Sequence, residues 1–330
     1  MLTTNQNLIT MTTSNRFAVK SCQVAVSGLL ALTLVACGDS DLQQIHDDGI
    51  QAAVDEANKA EVLLGAGLPE AAEDIPAPSE ATRSAIDVDE FELVFNDEFN
   101  GDELDASLWN SAMAWGPDLV INDEQQFYVD TQSNPDAEYN PFSFDGESLV
   151  ITADATPASM ADSSNGQSFV SGALTTLGNF DFSYGYIEAK VDVPGGAGLW
   201  PSLWMLGTDF VDLKPQLFMM EFNGSKPDSF FHNYNYTDAE GNLRSPTQQE
   251  VVVNGASEGW HTIGVRWSVG ELIYYINGFP TFQVNGENVP SQAMYLIMNL
   301  AVGGIWVDTP DESALPAPFK VDYVRVYQRN

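Results

Sequence analysis

Between Phe91 and Tyr327, short apolar stretches recur between Gly, Asn and Asp residues, and this spacing limits the chain to a fold made of β-strands. Stretches such as SLVITA, LIYYING and VDYVRVYQ are rich in β-branched and aromatic residues and are short for helices. In GYIEAKVDV, apolar residues alternate with mostly polar ones, which predicts a half-buried antiparallel strand. The Asn-Gly pair in YINGFP predicts a hairpin. Many short strands and few helical patterns favour an all-β sandwich or barrel of one domain.

The N-terminal part of the chain has the pattern of a secretion signal. Arg16 and Lys20 supply its charged part, and the apolar run from Val24 to Ala36 is too short to span a bilayer. The run ends in Leu-Val-Ala-Cys, which resembles a bacterial lipobox and predicts that Cys37 is lipidated. An exported protein with a spare thiol is the alternative. Met1 and Met11 are both candidate starts.

We therefore predict three segments: a lipoprotein signal peptide over residues 1–36, an acidic tether rich in Ala and Pro over 37–90, and one folded domain over 91–330. Residues 38–86 of the tether contain no aromatic residue, and the part after Gly65 is predicted to be disordered. Because acyl chains anchor a protein without a spanning helix, we expect attachment to the outer membrane, on its periplasmic or its surface side.

Charge and composition restrict the partners. The chain has 47 acidic and 12 basic residues, for a formal net charge of −35. Nucleic acid is excluded because its phosphates require Lys and Arg, and a strongly anionic polysaccharide would be repelled. A neutral partner fits better. The two cysteines lie near the N-terminus and no metal-ligand spacing occurs, so we expect no disulfide framework, no cofactor and a monomer.

Several runs then resemble glycoside hydrolase family 16, the laminarinase, lichenase and agarase group. They are LVFNDEFNGDELDASLWN, INDEQQFY, SGALTTLGNFDFSYGYIEAKVDVPGGAGLWPSLWMLG, GWHTIGVRWSVGELIYYING and NLAVGGIW with VDYVRVYQ. The resemblance covers about residues 91 to 328, with the segments in the family's order. It implies a jelly-roll sandwich of two antiparallel sheets, with a glycan cleft across one face.

The family's signature strand reads Glu-x-Asp-x-x-Glu. Positions i and i+2 of a strand share one face, whereas position i+5 points to the other face unless a β-bulge adds one residue. The resemblance implies that the first Glu attacks the sugar, the last Glu protonates the departing oxygen, and the Asp tunes both. A retaining mechanism requires the two carboxyl groups to be about 5–5.5 Å apart.

In this chain the signature reads Gln216-Leu217-Phe218-Met219-Met220-Glu221. The position of the acid and base is kept as Glu221, but Gln216 replaces the nucleophile and Phe218 replaces the middle Asp. Because an amide oxygen has no full negative charge, Gln216 is a poor nucleophile, and we predict that the usual cleavage is impaired. Asp212, Asp123 and Glu124 are the carboxylates that could substitute.

The resemblance also implies a set of substrate-binding residues: Trp115, Asn122, Glu124, Trp200, Trp204, His232 and Trp306. Three departures from the family's pattern are Ala173, Tyr186 and Arg266, of which Arg266 is expected to remove an acid from the sheet that carries the cleft. A structural Ca²⁺ occurs in some relatives, and Asp97, Glu98 and Asp322 are candidate ligands for it.

Three functions follow from these observations. The first is a surface lipoprotein that binds a neutral β-glucan or a galactan in the cleft without cleaving it. The second is an active endo-glycosidase of β-glucans that uses another carboxylate. The third is a structural envelope lipoprotein whose cleft binds nothing.

Overall fold

The computed structural model describes residues 91–329 except 117–118, 212 and 246–247, together with Ile75 and the backbone of three short N-terminal strands. The chain divides into two compact units, Met1–Gly67 and Leu68–Asn330. In the first unit, β1 (Leu8–Ile9), β2 (Val24–Ser27) and β3 (Ala31–Leu34) form an antiparallel sheet in the order β1-β2-β3. Cys37 lies outside the described residues, so its lipidation stays a prediction. Among the described residues, no helix is long and apolar enough to cross a membrane.

The second unit contains a larger sheet of ten strands, with the order β18-β17-β16-β10-β20-β7-β8-β5, in which β4 pairs with β20 and β6 pairs with β7. Its strands are β4 (Phe91–Asp97), β5 (Gln126–Tyr128), β6 (Phe142–Phe144), β7 (Leu149–Ala155), β8 (Phe169–Ser171), β10 (Gly185–Asp192), β16 (His261–Ser268), β17 (Glu271–Ile276), β18 (Phe279–Asn285) and β20 (Ala317–Arg329). All neighbours are antiparallel except β5 and β8, which pair in parallel.

A smaller sheet of seven strands has the order β14-β13-β12-β11-β19-β9, with β15 paired to β13. Its strands are β9 (Ala173–Thr175), β11 (Leu199–Val211), β12 (Lys214–Phe222), β13 (Ser229–Thr237), β14 (Leu243–Arg244), β15 (Gln249–Val252) and β19 (Met294–Val302). The described residues also include 3-10 turns at Ala158–Met160 and Glu312–Ala314. This architecture confirms the predicted all-β sandwich of two sheets.

One hydrophobic core joins the two sheets. Along β11, Leu199, Leu203 and Met205 belong to this core, and they alternate with residues that point away from the larger sheet. We call that other side of the smaller sheet the outer face. The predicted hairpin is confirmed, since Asn277 and Gly278 join β17 to β18 with φ of 51° and 80°.

Two sequence predictions need correction or extension. The strand GYIEAKVDV forms β10 as predicted, but it is more than half buried, because Tyr186 and Glu188 on its polar side are also buried. Within the predicted tether, Ile75 is 4% exposed and belongs to the main core. At least one tether residue therefore packs against the folded domain, while the boundary at residue 91 stays a prediction.

Candidate functional site on the outer face of the smaller sheet

A β-bulge in β12 brings the signature residues to one face. Phe218 lies opposite Trp204, and Glu221 lies opposite Ser202. The two β12 residues are three positions apart in the sequence, whereas their β11 partners are two apart, so β12 contains one extra residue. The same shift occurs against β13 between Phe218 and Glu221. The extra residue places Met219 and Met220 in the core and returns Glu221 to the outer face. The predicted bulge is therefore confirmed.

Glu221 is a buried acid surrounded by neutral donors. Its side chain is 3% exposed, and the amides of Asn233 and Gln248 each lie 3.5 Å from its Oε2. Burial raises the pKa of Glu221 to about 7, and the nearby donors oppose this rise only in part. A carboxyl group with this pKa holds or releases a proton near neutral pH, which is what a general acid and base requires.

The two replaced positions lie beside Glu221 on the same face and carry no charge. Phe218 stacks on Trp204, with ring centroids 5.1 Å apart and an angle of 14° between the planes. Gln216 is buried, and its Oε1 accepts a hydrogen bond of 3.2 Å from the Asn235 amide. No anionic oxygen is therefore available at either position.

Aromatic rings form two groups on the outer face. In the first, Trp115 lies 6.5 Å from Trp204, which also contacts Phe218. In the second, Trp306 lies 5.1 Å from Trp200 and 5.0 Å from Phe231, measured between ring centroids. The buried indole nitrogen of Trp200 has no hydrogen-bond partner among the described residues. It lies near Glu221 and slightly opposes the rise in the pKa of that carboxyl group.

A second buried carboxylate, Glu124, lies near Trp200 in the segment 122–128, which we call the wall. It accepts hydrogen bonds from the Asn122 amide (3.1 Å), the Gln126 amide (2.7 Å) and the Tyr128 hydroxyl (3.3 Å). Burial raises its pKa, while these donors act in the opposite direction. The Asn299 amide donates to the Tyr128 hydroxyl over 2.9 Å.

The same Asn299 connects this wall to the floor of the outer face, because its Oδ1 accepts a 2.9 Å hydrogen bond from the Trp204 indole nitrogen. Because Gly304 has no side chain, the wall can lie close to Trp200. A Cβ on Gly304 would lie 3.0 Å from the Asn122 carbonyl oxygen, 3.3 Å from the Trp200 ring and 3.5 Å from the Glu124 side chain.

Comparison with known proteins agrees with this geometry. The family model described as glycosyl hydrolases family 16 matches residues 123–325. The chain belongs to glycosyl hydrolase family 16. It is 32% identical over 252 residues to the endo-1,3-1,4-beta-glycanase ExsH of Rhizobium meliloti, covering 74% of this chain and 53% of that protein. It is 31% identical over 264 residues to a beta-glucanase of Rhodothermus marinus, covering 72% and 85% of the two chains.

Solved structures of family 16 share the jelly-roll fold. A laminarinase from Flavobacterium sp. UMI-01 superposes with a TM-score of 0.60 at 27% identity, covering 72% of this chain and 100% of that one. The chain spans about half the length of the Rhizobium relatives that it matches, 53% for each of two enzymes.

The prediction that His232 binds substrate is wrong. His232 alternates with the outer-face residues Phe231 and Asn233 and is fully buried on the opposite side of β13. Its Nδ1 lies 2.7 Å from the Met219 carbonyl oxygen and its Nε2 lies 2.8 Å from the Thr281 hydroxyl. Burial lowers the pKa of His232 to about 4, so it is a neutral core residue.

The expectation for Arg266 is also wrong, because Arg266 lies on β16 of the larger sheet. There it forms a 2.8 Å ion pair with Glu271. Tyr186, its cross-strand neighbour on β10, donates to Glu188. Of the three family departures, only Ala173 is on the smaller sheet, where it packs with Trp204.

The alternative carboxylates differ in their placement. Asp212 lies outside the described residues, and Asp123 is exposed in a left-handed turn with φ of 54°. The three Ca²⁺ candidates each have another partner: Asp97 accepts from Trp109, Glu98 pairs with Arg325, and Asp322 pairs with Lys190. No group of three or more His, Cys, Asp or Glu side chains suited to a metal occurs in the described part of the chain.

Several polar residues of this site were not predicted. Asn299 is the single amide within the apolar β19, and that contrast is a signal that sequence reading could have used. Asn233 is two residues after Phe231 and shares its face, but only the pairing with Phe218 identifies that face. Gln248 immediately precedes β15, and no sequence pattern indicates that it reaches Glu221.

Proposed function

We propose that this protein is a polysaccharide-binding lipoprotein whose outer face holds a neutral β-glucan or a galactan without cleaving it by double displacement. The observation that carries this proposal is the neutral pair Gln216 and Phe218 beside the buried acid Glu221. General acid catalysis by itself contributes about 10²–10⁴-fold. Glycosidases need far more, since enzymes accelerate reactions by roughly 10⁶–10¹⁷-fold. Proton donation without an anionic attacker therefore leaves most of the barrier in place.

The side chains of the outer face are suited to bind sugar. Two aromatic groups offer apolar surface to the C–H faces of pyranose rings through their half-buried members. These are Trp115 and Phe218 beside the buried Trp204, and Trp306 beside the buried Trp200. Neutral amides lie on the same face: Asn233 and Gln248 approach Glu221, and Asn299 bonds Trp204. Relatives named as β-glucanases and β-glycanases support a β-glucan as the bound polymer.

Lipid attachment at Cys37 is the second part of the proposal and rests on the sequence Leu-Val-Ala-Cys after an apolar run. Each buried acyl CH₂ contributes about 0.8 kcal/mol, so several chains would hold the protein on a membrane. We expect the wild type in the membrane fraction of an expressing bacterium and Cys37→Ala in the soluble fraction. A wild-type protein that is soluble and lacks acyl mass would refute the anchor and leave glycan binding untouched.

An active endo-glycosidase is the second candidate, and one observation favours it. Glu221 keeps the raised pKa of a general acid, and Glu124 is another buried carboxylate in the adjoining wall. An inverting reaction would need a base about 6.5–9.5 Å from the acid, with water between them. Reducing-sugar release by the wild type on a β-glucan and agarose panel, abolished in Glu124→Gln, would establish this function.

Reconstruction of the signature tests the main proposal. Gln216→Glu with Phe218→Asp restores both carboxylates, whereas either single change restores one and serves as the matched control. We expect laminarin or agarose to retard the wild type in affinity electrophoresis, and we expect cleavage only by the double variant. A wild type that cleaves as fast as the double variant would refute the loss of catalysis. No retardation on any polysaccharide would favour the structural envelope function.

A further inference from the structure

A pocket of about 390 Å³ lies at one end of the sandwich, away from the outer face. Its walls come from the start of β12, the end of β13, Asp209 of β11 and the segment 287–292 that joins β18 to β19. This volume falls within the roughly 300–1,000 Å³ typical of small-molecule sites. We call it the end pocket.

The end pocket shares no lining residue with the surroundings of Glu221. Its lining residues Pro215 and Tyr234 each alternate with an outer-face residue, Gln216 and Asn235 respectively. Tyr234 also belongs to the main core. A ligand in the end pocket would therefore contact none of the side chains that surround Glu221.

Hydrogen bonds hold the walls of the end pocket in place. The Tyr234 hydroxyl donates to the Asn288 carbonyl oxygen over 2.6 Å, and the Trp267 indole donates to the Pro290 carbonyl oxygen over 2.8 Å. The Thr208 backbone N–H bonds the Ala293 carbonyl oxygen at 2.9 Å. Because three different strands fix this segment, the pocket is formed before any ligand binds.

The lining combines one available aromatic ring with hydroxyl-binding groups. Tyr236 stacks on Tyr234, with centroids 5.3 Å apart and 23° between the planes, so Tyr234 shields one face of Tyr236. The charged groups of the lining are the exposed carboxylates of Asp209 and Glu287 and the ammonium of Lys214. The Gln292 amide nitrogen is buried in the wall with no hydrogen-bond partner among the described residues.

This chemistry selects the class of ligand. Two carboxylates against one ammonium disfavour an anion such as phosphate or a nucleotide. A cation would be favoured by an aromatic cage, but the pocket presents one ring and contains Lys214. A neutral pyranose matches both parts, since its apolar C–H face suits Tyr236 and its vicinal hydroxyls suit the carboxylates of Asp209 and Glu287.

We propose that the end pocket is a second saccharide site, which binds one or two pyranose units of a neutral glycan independently of the outer face. The two sites on one domain would raise the avidity for a polymer, because the second contact becomes intramolecular after the first. This inference extends the proposed glycan binding but uses none of its residues.

Equilibrium dialysis of the full chain with radiolabelled laminaritriose, and separately with agarotriose, tests the inference by counting bound ligand. We expect the wild type to bind two molecules per chain and Tyr236→Ala to bind one. The double variant Tyr236→Ala with Trp200→Ala should bind none. Asp209→Asn, a change at an exposed side chain, should weaken the end pocket about tenfold without affecting the fold. Phe279→Ala, at an aromatic residue 43% exposed outside both sites, is the control and should still bind two.

The outcomes separate the two proposals. One molecule per chain, lost in Trp200→Ala and kept in Tyr236→Ala and Asp209→Asn, would overturn the end pocket and leave the outer face as the glycan site. One molecule lost in Tyr236→Ala and Asp209→Asn but kept in Trp200→Ala would support the end pocket and overturn glycan binding at the outer face. No binding of either trisaccharide by the wild type would overturn both.

Discussion

Phe218 of β12 stacks on Trp204 of β11, with 5.1 Å between ring centroids and 14° between ring planes, at the position where family 16 places an ionisable Asp. The two nearly parallel rings pack against each other on the outer face, where Trp204 is buried and Phe218 is half-buried. An Asp at this position would be shorter and would need water or donors around it. The replacement therefore exchanges a charged, hydrated position for packed apolar surface.

We predict that the contact between Phe218 and Trp204 stabilises the fold, although Phe218 occupies a position that an enzyme would use for catalysis. Phe218→Ala removes the stacking contact and part of the buried apolar area, so we expect a loss of about 2 kcal/mol in the free energy of unfolding. Urea denaturation measures this loss. Phe279→Ala, at an exposed ring without a stacking partner in the described contacts, should change stability by less than about 0.5 kcal/mol. Equal effects in the two variants would contradict the structural role of the pair.

Glu221 predicts a pH dependence of stability. Its pKa is about 7 in the folded protein and 4.5 without burial, so between these values the folded state holds a proton that the unfolded state has released. Stability therefore falls as pH rises from 4.5 towards 7, and the loss persists above pH 7. Relative to the wild type, the free energy of unfolding of Glu221→Gln should be higher by up to roughly 3 kcal/mol at pH 8 and should differ little at pH 4.5.

Unfolding by urea at both pH values checks this prediction, because Gln has the shape of Glu but does not titrate. The difference between the two proteins cancels the titration of all other carboxylates. A constant difference at pH 4.5 and pH 8 would show that the Glu221 carboxyl group is not buried as described.

His232 predicts the opposite dependence. Its pKa is lowered to about 4 from 6.5, so below pH 6.5 the unfolded state binds a proton that the folded state does not. Burial of the neutral His232 therefore lowers the free energy of unfolding as pH falls from 6.5 towards 4, by up to roughly 3 kcal/mol. His232→Gln does not titrate and should remove this part of the acid destabilisation.

Glycan affinity supplies a second readout for His232. Because this side chain bonds Met219 and Thr281 on the core side of β13, His232→Gln should retain laminarin binding as long as the protein is folded. Affinity electrophoresis compares it with Asn233→Ala, a change at the adjacent outer-face residue, which should weaken binding. Selective loss of binding in a stable His232→Gln would contradict the core placement.

Gly304 predicts how closely the wall approaches the floor of the outer face. Gly304→Ala would place a Cβ 3.0 Å from the Asn122 carbonyl oxygen and 3.3 Å from Trp200, so we expect the wall to shift and glycan affinity to fall about tenfold. Gly241→Ala is a matched control, because Gly241 also has positive φ (82° against 115°) but nothing within 4 Å of an added Cβ. Equal affinities for the two variants would show that the wall tolerates the methyl group.

Local rules were sufficient to predict the central feature of this site. The i, i+2 and i+5 spacing needs one extra residue to share a face, and the bulge at Met219 supplies it as predicted. The Asn-Gly hairpin also depends only on local backbone geometry. The absence of carboxylates at Gln216 and Phe218 was likewise readable from the chain, because it concerns the identity of residues and not their positions in space.

The amino-acid sequence by itself determined the all-β fold, the bulged signature strand and the presence of Gln216 and Phe218 in that strand. Only the tertiary structure decided that His232 points into the core, that Arg266 lies on the other sheet and that Asn299 joins Trp204 to the Glu124 wall. The physical reason is that a strand has two faces and many potential neighbours. Which face is outside, and which strand lies next to it, depends on pairings between residues as far apart as Trp204 and Asn299.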